Sequence, residues 1–178
     1  MGLANLAYTL SRQKRYAEAI PLFEALIKAD STQYIAYLGL AEIYLQQGIE
    51  TDRVSKLLDL AEITIQPRKK SDPQNWAEIL VDRAWLMTLH KRPIKADELI
   101  AQALKETSQT FKPSLALLNY RIGQIMVMRG DKTEAAKYFR QSTTIDPAGI
   151  YAQSSRDAVL ALRQLNEGPP PDGTPILA

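Results

Sequence analysis

The sequence has no cysteine and one histidine among 178 residues. Without cysteine there are no disulfides, thiolate metal sites or cysteine nucleophiles, although the redox compartment stays open. With His90 alone, a metal site would have to rest on carboxylates. The available pairs, Asp59 with Glu62 and Asp97 with Glu98, read as ordinary polar helix faces. No metal and no cofactor is therefore expected. His90 falls in the turn-like stretch TLHKRP and reads as a solvated turn residue rather than a catalytic base. A glycine-rich phosphate loop is missing, as is any nucleophile paired with a base, and RGD at 129–131 reads as a tight turn. These absences point away from an enzyme.

Long apolar runs are also missing, since none approaches the roughly 18 to 20 residues of a membrane span. The opening MGLANLAYTL lacks the basic-then-apolar order of a signal peptide. The expected setting is the cytoplasm, with the soluble part of a membrane-tethered or exported protein as the alternative and no membrane contact by this segment. Charge of one sign is not in excess. Twenty-two Lys and Arg against 20 Asp and Glu leave a formal +2, too little to imply nucleic acid or an anionic surface on its own. Met1-Gly2 runs into an amphipathic pattern without a helix cap, which suggests a piece excised from a longer protein or one lacking an upstream repeat.

What is present is self-similarity. LANLAYTL (3–10), YLGLAEIY (37–44), LVDRAWLM (80–87) and NYRIGQIM (119–126) superpose without gaps, each with a small fifth residue: Ala7, Ala41, Ala84 and Gly123. A second pattern follows each one, opening at Ala19, Val54, Ala96 and Ala135 and placing Phe23, Leu58, Ile100 and Phe139 four residues on. Spacings of three and four put these residues on one helical face, and β-branched runs and strict alternation are absent. The expectation is all-α. QQG (46–48), KRP (91–93) and RGD (129–131) supply Gly or Pro between the two patterns, so each unit reads as a helical hairpin. Gly123 costs its helix about 1 kcal/mol relative to alanine, which suggests close approach of a second backbone.

The last unit carries Ile122-Gly123, Met126, Ala135, Phe139 and Asp146-Pro147, and it resembles a tetratricopeptide repeat. The first unit resembles it through Leu3, Leu6-Ala7, Leu10, Ala19 and Phe23. Units two and three match more loosely, because Val54 replaces a small residue and Arg83 takes the usual Leu position. The resemblance implies a right-handed α-solenoid of about four antiparallel helix pairs, another antiparallel helical array being the alternative. Its divisions would be 1–31, 32–72 with an extended loop, 73–112 and 113–147, then a capping helix over 148–167 and a Pro-rich flexible tail over 168–178. Ile150, Tyr151, Ala158, Val159, Leu162 and Leu165 are the expected buried side of that capping helix.

In this family the first helices line a concave groove. The positions resembling groove positions are Asn5, Tyr8 and Arg12 in the first unit and Leu38, Glu42 and Leu45 in the second. Val81, Asp82, Trp85 and Leu89 follow in the third, then Tyr120, Arg121, Gln124 and Met128 in the fourth. Much of that set is aromatic or aliphatic, the composition of binding hot spots, and points to a partner peptide or helix from another protein. The competing reading places some of these residues in the core. Some family members clamp acidic chaperone tails with Lys, Asn and Arg. Here Ala4, Tyr8, Gly39, Glu78 and Asp82 stand at those positions, so that clamp is absent. Two further readings stay open: a homodimer through the uncapped first hairpin, and an acidic partner or nucleic acid along the basic turn edge. That edge carries Arg12, Lys14 and Arg15, then His90, Lys91, Arg92 and Lys95, then Arg129 and Lys132. Nucleic acid is the weaker of these readings, because solvated turns account for the same residues.

Overall fold

The computed structural model describes residues 2–107 and 111–167. The chain divides between Glu106 and Thr107 into two compact units, each built from antiparallel helix pairs. The first unit holds α1 (Leu3–Arg12), α2 (Tyr16–Ala29), α3 (Tyr34–Gln47), α4 (Thr51–Ile65), a short 3-10 turn at Gln66–Arg68, α5 (Pro73–Leu89) and α6 (Pro93–Glu106). The second holds α7 (Lys112–Met128), α8 (Lys132–Ile145) and α9 (Ala152–Glu167). No strand occurs among the described residues, and the fold is an all-α solenoid of helical repeats. The proposed tail, 168–178, lies outside the described residues.

One hydrogen-bond pattern closes all four hairpins. The N–H groups of Arg15, Ile49, Arg92 and Asp131 donate to the carbonyls of Leu10, Tyr44, Met87 and Met126, at 2.9, 3.2, 2.9 and 3.0 Å. This is the six-residue Schellman closure, which satisfies carbonyls that the helix end leaves orphaned. It requires a left-handed residue just before each donor, and Lys14, Gly48, Lys91 and Gly130 supply it with φ of 59, 66, 57 and 78°. In KRP the helix therefore ends at a left-handed Lys91, and Pro93 instead opens α6, where its missing N–H leaves no bond unmade. Asp131 caps α8 by accepting the Glu134 N–H at 3.1 Å, and Asp72 caps α5 ahead of Pro73.

Ala7, Ala41, Ala84 and Gly123 are all buried, as are their partners Ala19, Val54, Ala96 and Ala135. Phe23, Leu58, Ile100 and Phe139 fill the space beside them. A Cβ placed on Gly123 would lie 2.7 Å from a Phe139 ring carbon, so the glycine is there because the ring rests on its bare Cα. Gly39 does the same one hairpin further along: its Cβ would meet the Phe23 ring at 2.3 Å, where α3 stacks on α2.

Polar ties add to this stacking in the first unit. Arg83, in the expected Leu position, reaches back from α5 to Asp59 at 2.6 Å and to Glu62, both on α4. Burial alone would lower the pKa of its guanidinium, but the two carboxylates outweigh that and hold it above the usual arginine value. Arg53 of α4 pairs with Glu24 of α2 at 2.9 Å. The Tyr34 hydroxyl, at the start of α3, donates to the Asp72 carboxylate ahead of α5 at 2.5 Å.

In the second unit α8 packs between α7 and α9. The buried stripe of α9 keeps the expected Leu162, with Tyr151, Ala158 and Val159 half-buried, and adds Ala152 and Ser155, while Ile150 and Leu165 are 64% and 65% exposed. The helix starts at Ala152, leaving Ile150 outside it.

Candidate functional site

Within the first unit α1 touches α3 and α3 touches α5, whereas α2, α4 and α6 make no comparable contact with one another among the described residues. Close first helices and splayed second helices curl the unit toward the first-helix side, which becomes its inner face. Asn5 and Arg12 are exposed on α1, and Tyr8, Glu42 and Leu89 are half-buried. The hydroxyl of Tyr8 donates to the Ile35 carbonyl at 2.9 Å, and its ring meets Phe23 edge-on at 5.1 Å. Glu42 accepts from the Gln46 amide at 3.2 Å, and the Gln46 carbonyl oxygen accepts from the Tyr16 hydroxyl at 2.7 Å. Burial raises the pKa of the Tyr16 phenol, and the Glu42 charge raises it further.

Leu38, Leu45, Val81, Asp82 and Trp85 are buried, none more than 6% exposed. As placed they are packing residues beneath the inner face, and the accessible members of the expected groove set form a mixed polar and apolar rim. Closeness of α1, α3 and α5 has this effect, since helices in direct contact turn their facing side chains into each other. The Tyr16–Gln46–Glu42 chain was not singled out in the sequence, because its members are 30 and 4 residues apart and the link depends on how α2 lies against α3.

In the second unit Tyr120 stacks on Tyr151 with ring centroids 5.2 Å apart and tilts against Phe139 at 5.7 Å. The Gln124 amide donates to the Tyr120 hydroxyl at 3.4 Å. Arg121 is 3% exposed, and Met128 is 41% exposed at the end of α7. At the turns, Arg15 pairs with Glu18 at 2.6 Å and Lys95 with Glu98 at 3.0 Å, so part of the basic edge is neutralised locally. His90 is exposed at the end of α5. Among the described residues no three His, Asp or Glu side chains gather as a metal site would need, and no helix is long and apolar enough to cross a membrane.

Two sequence models of the tetratricopeptide repeat match the chain, one over residues 5–66 and one over 116–148, together just over half its length. The chain is a tetratricopeptide repeat protein. No curated protein matches it. The first match spans the α1–α2 and α3–α4 hairpins, and the second runs from within α7 through Pro147. The stretch between them holds α5 and α6, where Arg83 departs from the tetratricopeptide pattern while the small residues and the turn keep it. Tetratricopeptide repeats are in general protein–protein interaction modules.

Proposed function

We propose that this protein is a non-catalytic scaffold that holds a peptide or helix of another protein on the face formed by its first helices. The observation that supports this reading is the contact of α3 with both α1 and α5, with Asn5, Tyr8, Arg12, Glu42 and Leu89 accessible on those three helices and read as one inner rim. In the second unit Tyr120, Gln124 and Met128 sit at the matching positions of α7. Leu38, Leu45, Val81, Asp82, Trp85 and Arg121 act beneath the rim by fixing its backbone. Arg12 and Glu42 carry opposite charges, so the rim favours a partner of mixed charge over an acidic tail.

The test is capture of the natural partner by chemical crosslinking, then titration of the purified pair. Arg12→Glu, Glu42→Lys and Met128→Glu should each weaken binding by about tenfold or more, while Lys28→Glu and Lys56→Glu on α2 and α4 leave it unchanged. The opposite pattern would discard the reading. A second reading, self-association, draws on Leu3 and Leu6, which are 41% and 43% exposed on α1. It predicts a mass on a sizing column that rises with concentration and falls to that of one chain in Leu6→Glu.

A further inference from the structure

We propose a second docking seat, the groove between α8 and α9, which takes one amphipathic helix of a partner protein that presents carboxylates around a short apolar stripe. The groove holds about 430 Å³, with Val159 and Leu160 of α9 along its floor and Thr143 and Thr144 of α8 beside them. Arg140 of α8 and Arg156 and Arg163 of α9 line it as well. Arg156 is engaged only by neutral groups, the Gln153 side-chain oxygen at 3.1 Å and the Pro147 carbonyl at 3.4 Å. Among the described side chains Arg140 and Arg163 make no side-chain bond, and none of the three arginines meets a carboxylate there. Three guanidiniums beside Val159 and Leu160 are complementary to an acidic amphipathic surface.

The shape of the occupant follows from the repeat. α9 lies on α8 as α3 lies on α2 and α5 on α4, so it stands in the place of a first helix. Each of those first helices has a second helix packed against it, α4 on α3 and α6 on α5. Where the second helix is present it reaches back to the preceding hairpin: Arg53 of α4 pairs with Glu24 of α2. Glu24 directly follows Phe23, just as Arg140 directly follows Phe139. Thus the position that receives a cation from the incoming helix in the first hairpin is itself a cation in the last, and a helix entering this seat must bring a carboxylate. Arg156, Val159, Leu160 and Arg163 recur at three and four residues over two turns of α9, about 10 Å, enough to meet two turns of that helix.

The probe is a fluorescein-labelled synthetic helix of about five turns, with Leu at i, i+3, i+4 and i+7 and Glu on both flanks. It is titrated by anisotropy against the full chain. Saturable binding is expected, weakened about tenfold or more by Arg140→Glu, Arg163→Glu or Leu160→Asp, little changed by Arg140→Lys, and untouched by the inner-rim variants Arg12→Glu and Met128→Glu. Leu160 is 54% exposed and Arg140 is exposed, so these variants should melt where the parent does. Four results would overturn the proposal. One is no saturable binding, and another is loss caused by the inner-rim variants instead. A third is equal competition by inorganic phosphate or by a polyglutamate without leucine, which would make the groove an anion site. The last is self-association that Leu160→Asp abolishes, which would make a second copy the occupant.

Discussion

Gly39 and Gly123 each lie under a phenyl ring of a second helix, and their contact distances rank the consequences of adding a methyl group. Alanine is favoured over glycine in a helix interior by about 1 kcal/mol, while overpacking a filled core costs about 1–3 kcal/mol. With Cβ contacts of 2.3 and 2.4 Å to Phe23, Gly39→Ala should lose about 2 kcal/mol net of that propensity gain. Gly123→Ala, meeting Phe139 at 2.7 and 2.8 Å, should lose less. Urea unfolding checks both, and a rise in either midpoint would contradict the packing described. Lys14 and Lys91 pose the reverse case, because the Schellman closure puts them in the left-handed region, at about 1–2 kcal/mol for a residue with a Cβ. Their side chains are exposed. Lys91→Gly should therefore stabilise the chain by roughly 0.5–1 kcal/mol after the entropy cost of glycine, as should Lys14→Gly, both read from the same midpoints. A destabilised Lys91→Gly would mean that the lysine holds a contact.

Between elements, the Tyr34 hydroxyl links the start of α3 to the cap of α5 through Asp72. Burial is the first cause raising the pKa of this phenol, and its hydrogen bond to the Asp72 carboxylate is the second. A group with a raised folded pKa contributes stability that is fully present below its unfolded value, about 10 for tyrosine, and lost as pH climbs beyond it. Tyr34→Phe should therefore cost about 1 kcal/mol at neutral pH, and the gap between parent and variant should close above about pH 10. Denaturant melts across that range decide it, and a constant gap would contradict the assignment. Helix pairing was legible in the sequence because Ala7, Ala41, Ala84 and Gly123 recur with their partners at fixed spacing, and close backbones need small residues at each crossing. The ties between hairpins were not. Arg83 departs from the repeat pattern in a way that periodicity alone reads as a mismatch, since its acceptors Asp59 and Glu62 lie 24 and 21 residues back. The face of α9 was legible at Leu162, Val159 and Ala158 but not at its ends: Ile150 and Leu165 suit an apolar stripe by composition and are exposed, while small Ala152 and Ser155 are buried.

For the molecule, stacking within each unit makes stability a sum of neighbouring interfaces, α2 with α3 and α4 with α5 in the first and α8 with α9 in the second. The same arithmetic governs the candidate binding face. Sequence spacing places Asn5, Glu42 and Leu89 on the first helices together with Leu38, Val81 and Trp85. Within the first unit the distance between successive hairpins decides which side chains remain at the surface, and the Phe23 ring on Gly39 and the Arg53–Glu24 and Arg83–Asp59 pairs help to set it. On the proposed reading the buried members stiffen the inner face and the rim members supply its selectivity. Hydrogen–deuterium exchange of the full chain, alone and saturated with its crosslink-identified partner, tests the account most directly. Binding should slow exchange in α1, α3 and α5 and at the C-terminal end of α7, leaving the outer turns of α2, α4 and α6 as they were. Protection confined to α2, α4 and α6 would contradict it.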